Sequence, residues 1–118
     1  MTEEIGAELG TDRTLLLVDD DEPFLKRLAK AMEKRGFLPE TADSVAMGKA
    51  AAQARPPAYA VVDLRLEDGN GLDVVETLRE RRPDCRVVVL TGYGAIATAV
   101  AAVKIGAIDY LSKPRRCQ

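Results

Sequence analysis

Along this chain, continuous apolar runs alternate with stretches of helical period. Leu15-Leu16-Leu17-Val18 predicts a buried strand. From Pro23 to Arg35 the residues Phe24, Leu25, Leu28, Ala29 and Met32 fall on one helical face, and Gly36 closes that helix. Leu38 to Ala42 predicts a short second strand. Ser44 to Ala54 is Ala-rich and helical with Ser44 as N-cap, and Pro56-Pro57 ends it. Ala58 to Asp63 predicts a third strand. Gly69-Asn70-Gly71 makes a loop, after which Leu72, Val75 and Leu78 begin a helical stripe. Arg86 to Thr91 is a fourth strand, Ala95 to Ile105 a helix, and Ala107 to Leu111 a fifth strand. Strands alternating with helices of this length imply right-handed crossovers and a parallel sheet. Continuously apolar strands such as Leu15–Val18 and Val87–Leu90 fit a sheet covered on both faces.

Composition narrows the class. At 118 residues the chain suffices for one domain, 13–118, behind an acidic, polar leader over 1–12 that is expected to be disordered. The formal net charge of -2 argues against nucleic-acid binding by charge alone. No apolar run approaches the roughly 18 residues of a membrane span, and the start lacks the features of a secretory signal, so a cytoplasmic protein is expected. The absence of histidine removes His-based metal sites, Ser-His-Asp triads and histidine phosphocarriers. Of the two cysteines, Cys85 opens an apolar run and reads as a small buried residue, and Cys117 is next to last. A disulfide between them stays open, although a cytosolic protein would keep both reduced.

In an open parallel sheet, ligands bind beyond the carboxyl ends of the strands, near a topological switch point. The first strand ends in Asp19-Asp20-Asp21, the third in Asp63, the fourth in Thr91-Gly92, and the fifth is followed by Lys113-Pro114. One edge would therefore carry carboxylates, a hydroxyl and an ammonium. Two carboxylates about 4 Å apart repel by roughly 4 kcal/mol near a protein surface, so a cation is expected among Asp19, Asp20 and Asp63. An all-oxygen donor set suits Mg²⁺. Such an ion would also neutralise a carboxylate nucleophile and an incoming phosphoryl group, for which Asp is a known covalent acceptor. Lys113 and Thr91 would hold the remaining phosphoryl oxygens.

Several of these residues also have plainer readings. Asp21 fits an N-cap of the first helix better than a ligand, with Pro23 in its first turn. Asp19 and Asp20 alone could be loop acids, and Thr91 alone could cap the next helix. Lys104 reads as a solvated helix residue, and Asp68 and Asp73 as surface charges. Gly92-Tyr93-Gly94-Ala95-Ile96-Ala97 matches a dinucleotide fingerprint, with Asp109 at about the required distance. That fingerprint belongs to the first strand–helix turn, and here it follows the fourth strand, so its glycines read instead as giving the Thr91 loop freedom. The helix 95–105, polar only at Thr98 and Lys104, is either buried or a contact surface.

The segments Leu-Val-Asp19-Asp20-Asp21, Val-Val-Asp63-Leu-Arg, Leu-Thr91-Gly92 and Tyr110-Leu-Ser-Lys113-Pro114 together resemble the two-component response-regulator receiver domain. The resemblance runs over about residues 14–114, and longer blocks such as YAVVDLRLEDGNGLDVVETLRERRPD are similar to the RegA/PrrA/ActR type of redox-responsive regulator. It implies a flavodoxin-like (CheY-like) doubly wound sheet of five parallel strands in the order 2-1-3-4-5. It also implies that Asp63 is the phosphoacceptor, that Asp19, Asp20, Asp63 and the backbone carbonyl of Arg65 hold Mg²⁺, and that Thr91, Lys113 and Tyr110 form the switch. The Lys113–Pro114 peptide would be cis. The implied phosphodonor is a sensor histidine kinase. The surface of the fourth helix, fifth strand and fifth helix would be the signalling face, and DNA would be bound through a separate helix-turn-helix output domain.

Departures from the family pattern set further expectations. The chain stops at Gln118, so the usual fifth helix and an output domain are both expected to be missing, and self-association by dimerisation or domain swapping would cover the apolar surface. The acceptor loop Arg65-Leu66-Glu67-Asp68-Gly69 lacks the proline often found there, which puts its stiffness in question. Arg65 and Tyr93 form a bulky, non-acidic pair expected to shield an acyl phosphate. The chain is expected not to be an enzyme beyond its own phosphoryl transfer. Two rivals are a phosphohydrolase of the dehalogenase-like kind, which wants an acid where Arg65 stands, and a constitutive interaction module with a vestigial site.

Overall fold

The computed structural model describes residues 12–91, 106 and 109–112, with Thr91 and 109–112 described by their backbone. Five strands form one parallel sheet: β1 (Thr14–Val18), β2 (Leu38–Ala42), β3 (Tyr59–Asp63), β6 (Arg86–Thr91) and β7 (Asp109–Ser112). Their order across the sheet is β2-β1-β3-β6-β7, which is 2-1-3-4-5 when these strands alone are numbered. Between β3 and β6 lies a feature the hydrophobic pattern did not predict. Where a plain loop was expected, β4 (Arg65–Leu66) and β5 (Gly69–Asn70) pair antiparallel as a small hairpin. The fifth strand runs to Ser112, one residue past its expected end.

Three helices are described: α1 (Glu22–Lys34), α2 (Val45–Ala54) and α3 (Leu72–Arg81). Each begins where a side chain can take up N–H groups that lack a partner within the helix. Asp21 accepts the Phe24 N–H at 3.3 Å, and Ser44 accepts the Met47 N–H at 3.1 Å, both as the sequence suggests. At α3 the Asn70 carboxamide accepts the Leu72 N–H at 2.8 Å. Gly36 follows α1 with φ +91°, a left-handed conformation that other residues adopt only at a cost.

Among the described residues, the sheet is covered on both faces at β1 and β3. Strand alternation sends Leu16, Val18, Ala60, Val62, Val87 and Val89 to one side, where they pack with Val45 and Ala52 of α2 and Val74, Val75 and Leu78 of α3. Leu15 and Leu17 face the other side and pack with Leu25, Leu28, Ala29 and Met32 of α1, four of the five residues expected on that face of the helix. Cys85 is buried in the first cluster, and burial pushes its thiol up to about 11, so it stays protonated and inert. Among the described residues no helix is long and apolar enough to cross a membrane. The helix expected over 95–105, Cys117, residues 1–11 of the expected leader 1–12, and the segment 113–118 all lie outside the described residues, whereas Asp12, the last residue of that leader, is described.

At the edge opposite the site, Asp12 ties three segments together. Its Oδ1 accepts the Thr14 N–H at 3.0 Å and the Thr14 hydroxyl at 2.6 Å, and its Oδ2 accepts from Arg82 Nη1 at 2.8 Å. The same Arg82 nitrogen donates to the Pro56 carbonyl, and Thr14 Oγ1 accepts the Ala58 N–H. The Thr14 hydrogen bonds and the Arg82 guanidinium hold the Asp12 carboxyl down, from its ordinary 3.8 to about 2. At the site edge, the chain passes very close to itself: a Cβ on Gly71 would lie 2.2 Å from the Asp63 carbonyl oxygen, so only glycine fits there.

Two predictions follow from these contacts. Because the folded-state pKa of Asp12 is depressed, its stabilising contribution is complete above the ordinary 3.8 and is lost as pH falls through about 2. The thermal midpoint of Asp12→Asn should therefore lie below that of the natural chain at neutral pH and converge with it towards pH 2. Gly71→Ala should destabilise the fold by about 1–3 kcal/mol in chemical denaturation, because the added methyl group forces the end of β3 away from the start of α3.

Candidate functional site

The sheet order changes direction at β1: the chain leaves β1 for β2 on one flank, then crosses to β3 on the other. The crevice between β1 and β3 is thus the switch point of an open parallel sheet. Val18 pairs with Val62 in register, so Asp19 and Asp63 occupy equivalent next positions on neighbouring strands. Both are buried, at 1% and 4% exposure, while Asp20 is half-buried at the rim. Among the described residues they are the buried carboxylates.

Backbone N–H groups orient each of the three. Asp19 Oδ1 accepts the Asp21 N–H at 2.8 Å, Asp63 Oδ1 accepts the Arg65 N–H at 2.9 Å, and Asp20 Oδ2 accepts the Glu67 N–H at 3.1 Å. One carboxylate oxygen from each residue lies within 4.8 Å of the others. At that separation each charged pair repels by about 3 kcal/mol at an effective dielectric of about 20. Folding nevertheless brings the three together, and a divalent cation would offset that repulsion. The donor set contains oxygen alone, which fits a hard ion of the Mg²⁺ or Ca²⁺ kind.

The remaining sequence candidates divide in two. Asp63 pairs with Leu90, so Thr91, the next residue of β6, ends at the same edge, and it pairs in turn with Ser112 at the end of β7. Tyr110 stands on β7 opposite Val89. Arg65 opens β4 with its side chain exposed and its peptide N–H on Asp63. Lys113 and Pro114, with the expected cis peptide, fall outside the described residues, as does Tyr93. Asp21 caps α1, the plainer of its two readings, and Asp73 is exposed in the first turn of α3.

Asp68 is a surface charge, as expected, but it has a partner that the sequence did not indicate. It is exposed, yet its carboxylate accepts the Val45 N–H at 2.8 Å and the Ala46 N–H at 3.1 Å, so it caps α2 from 23 residues downstream. Glu67 also went unnoticed, because its contribution to Asp20 is a backbone N–H that no residue type announces. The Asp68-Gly69 pair does carry a turn signal, which could have pointed to the hairpin. The missing proline is answered here too: the hairpin pairing and the ties at Glu67 and Asp68 restrain the loop.

The chain matches the family model described as the response regulator receiver domain over residues 15–118. It is 87% identical over 114 residues to the photosynthetic apparatus regulatory protein RegA of Cereibacter sphaeroides, covering 97% of this chain and 62% of RegA. It is 65% identical over 106 residues to the acid tolerance regulatory protein ActR of Rhizobium meliloti, covering 90% of this chain and 55% of ActR. The chain therefore spans less than two thirds of the length of these relatives. Among solved structures it is similar to a response regulator from Burkholderia pseudomallei that carries a phosphorylated aspartic acid, a calcium ion and citrate. That match has a TM-score of 0.81 at 41% identity and covers 89% of this chain and 62% of the other. With the motifs, the sheet order and the acidic crevice in agreement, the chain belongs to the response regulator receiver domain family, and within it to the RegA and ActR type of two-component regulator.

Proposed function

We propose that this chain is a phosphorylation switch in which Asp63 accepts a phosphoryl group from a sensor histidine kinase, in the service of redox- or oxygen-responsive transcription control. The observation that carries this reading is the convergence of Asp19, Asp20 and Asp63, with Asp63 buried at the end of β3 and its carboxylate held by the Arg65 N–H. The phosphorylated aspartic acid and calcium ion of the Burkholderia relative support it. Similarity to RegA, a regulator of the photosynthetic apparatus, supports the physiological part. DNA binding would belong to an output domain of a longer protein, as the helix-turn-helix expectation has it.

In this reading an Asp63 oxygen forms a bond to phosphorus as the bond from phosphorus to the donor nitrogen breaks, leaving an acyl phosphate. Mg²⁺, held by Asp19, Asp20, Asp63 and the Arg65 carbonyl, supplies the charge neutralisation that lets two anions meet. The Arg65 N–H keeps the nucleophile turned in one orientation, so little reorganisation precedes transfer. Thr91 and Lys113 hold the phosphoryl oxygens, and Tyr110 follows Thr91 in changing the face that partners read. The change is a local charge event that biases a two-state surface. The chain's own chemistry is confined to moving phosphate onto and off Asp63.

Intact mass after incubation with acetyl phosphate and Mg²⁺ should show one phosphoryl adduct. It should show none for Asp63→Asn, and none when the divalent ion is chelated. An equal adduct on Asp63→Asn would place the acceptor elsewhere. The exposed Arg65 side chain should also shield the acyl phosphate. Arg65→Asn should then lose its phosphate faster than the natural chain when the adduct is followed over time.

A further inference from the structure

The tip of the β4–β5 hairpin is tied on two sides by consecutive residues. Glu67 donates its N–H to Asp20 Oδ2 at 3.1 Å, and Asp68 sets its carboxylate across the first two N–H groups of α2, at 2.8 and 3.1 Å. The Asp68 contact completes what the α2 sequence leaves open. Ser44 takes only the Met47 N–H, and α2 has no acidic residue of its own in its first turn. Asp68 supplies both the missing acceptors and the missing negative charge at the positive end of the helix. Hydrogen bonds to a carboxylate are about twice as strong as neutral ones, and two from adjacent N–H groups define orientation as well as distance. The Val45 and Ala46 N–H groups hold the Asp68 carboxyl below its ordinary value, as a contact made to the ionised form must.

Because Glu67 and Asp68 are chain neighbours in a two-residue turn, with their Cα atoms only about 3.8 Å apart, what fixes one fixes the other. We propose that Asp68 is a positioning residue for the acidic crevice: by clamping the hairpin tip to α2, it holds the Glu67 N–H on the Asp20 carboxylate and steadies β4, which carries the Arg65 carbonyl. The proposal rests on the reading of the crevice as a divalent-cation site. It assigns to α2 a part in cation binding although α2 contributes no ligand. By linkage the coupling runs both ways, so cation binding should tighten the start of α2.

The test compares Asp68→Ala with Ser44→Ala, which removes the other cap of the same helix without untying the hairpin. Two readouts are followed by NMR: hydrogen exchange of the Glu67 amide without metal, and Mg²⁺ titration of the amide resonances. Asp68→Ala should speed Glu67 exchange and weaken Mg²⁺ binding about tenfold, the scale seen when a group supporting a metal ligand is lost. Asp68→Asn, which keeps one acceptor, should fall between. Ser44→Ala should leave both readouts as they were, and Mg²⁺ should slow Val45 and Ala46 exchange in the natural chain. Unchanged Glu67 exchange in Asp68→Ala would overturn the clamp, as would equal effects from Ser44→Ala, which would reduce Asp68 to a helix cap. A natural chain that binds no Mg²⁺ yet shows faster Glu67 exchange in Asp68→Ala would overturn the cation-site reading and leave the clamp standing.

Discussion

The parallel register of β1 against β3 is the constraint on which the site depends. Pairing Val18 with Val62 places Asp19 and Asp63 side by side at the carboxyl edge of the sheet. A slip of one residue would send the apolar side chains of β1 to the wrong face. Leu16 and Val18 would then leave the cluster formed with α2 and α3, and Leu15 and Leu17 would leave α1. Core packing thus holds the two buried acids in place. The electrostatic cost of their approach is met by contacts that hydrophobic burial has already organised.

That cost also explains the backbone around the crevice. Each of the three carboxylates takes an N–H from the chain two residues on or from the hairpin. The hairpin brings two of them round, those of Arg65 and Glu67. It needs Gly71 at its base, where the chain passes against the Asp63 carbonyl, and it is anchored at its tip by Asp68 on α2. In a loop without the proline common to the family, the same stiffness comes from side-chain and strand pairing.

The two ends of the sheet are organised on different principles. At the edge away from the site, Asp12, Thr14 and Arg82 form an ion pair and hydrogen bonds that are satisfied within the protein. At the site edge, like charges are gathered. One network needs no added ion to be stable, whereas the other is suited to receive one. That contrast sets a cluster of charged residues satisfied within the protein apart from a candidate cation site.

Much of this was legible in the residue pattern. Continuous apolar runs identify buried parallel strands, the stripe from Leu25 to Met32 identifies the packed face of α1, and the acids at the strand ends identify the edge where a cation and a phosphoryl group would meet. These signals are local, because period and strand-end position depend only on neighbours in sequence. The hairpin at residues 65–70, the Glu67 N–H on Asp20 and the Asp68 cap on α2 were not legible. The partners of Glu67 and Asp68 lie 47 and 23 residues away, and the hairpin pairing and the Glu67 contact act through backbone groups that carry no residue-specific signal. By itself the sequence determined which residue types stand at the edge of the sheet. Only the tertiary structure decided how the chain between Asp63 and α3 folds back to hold them, because that depends on which distant N–H groups the packed sheet and helices bring within reach.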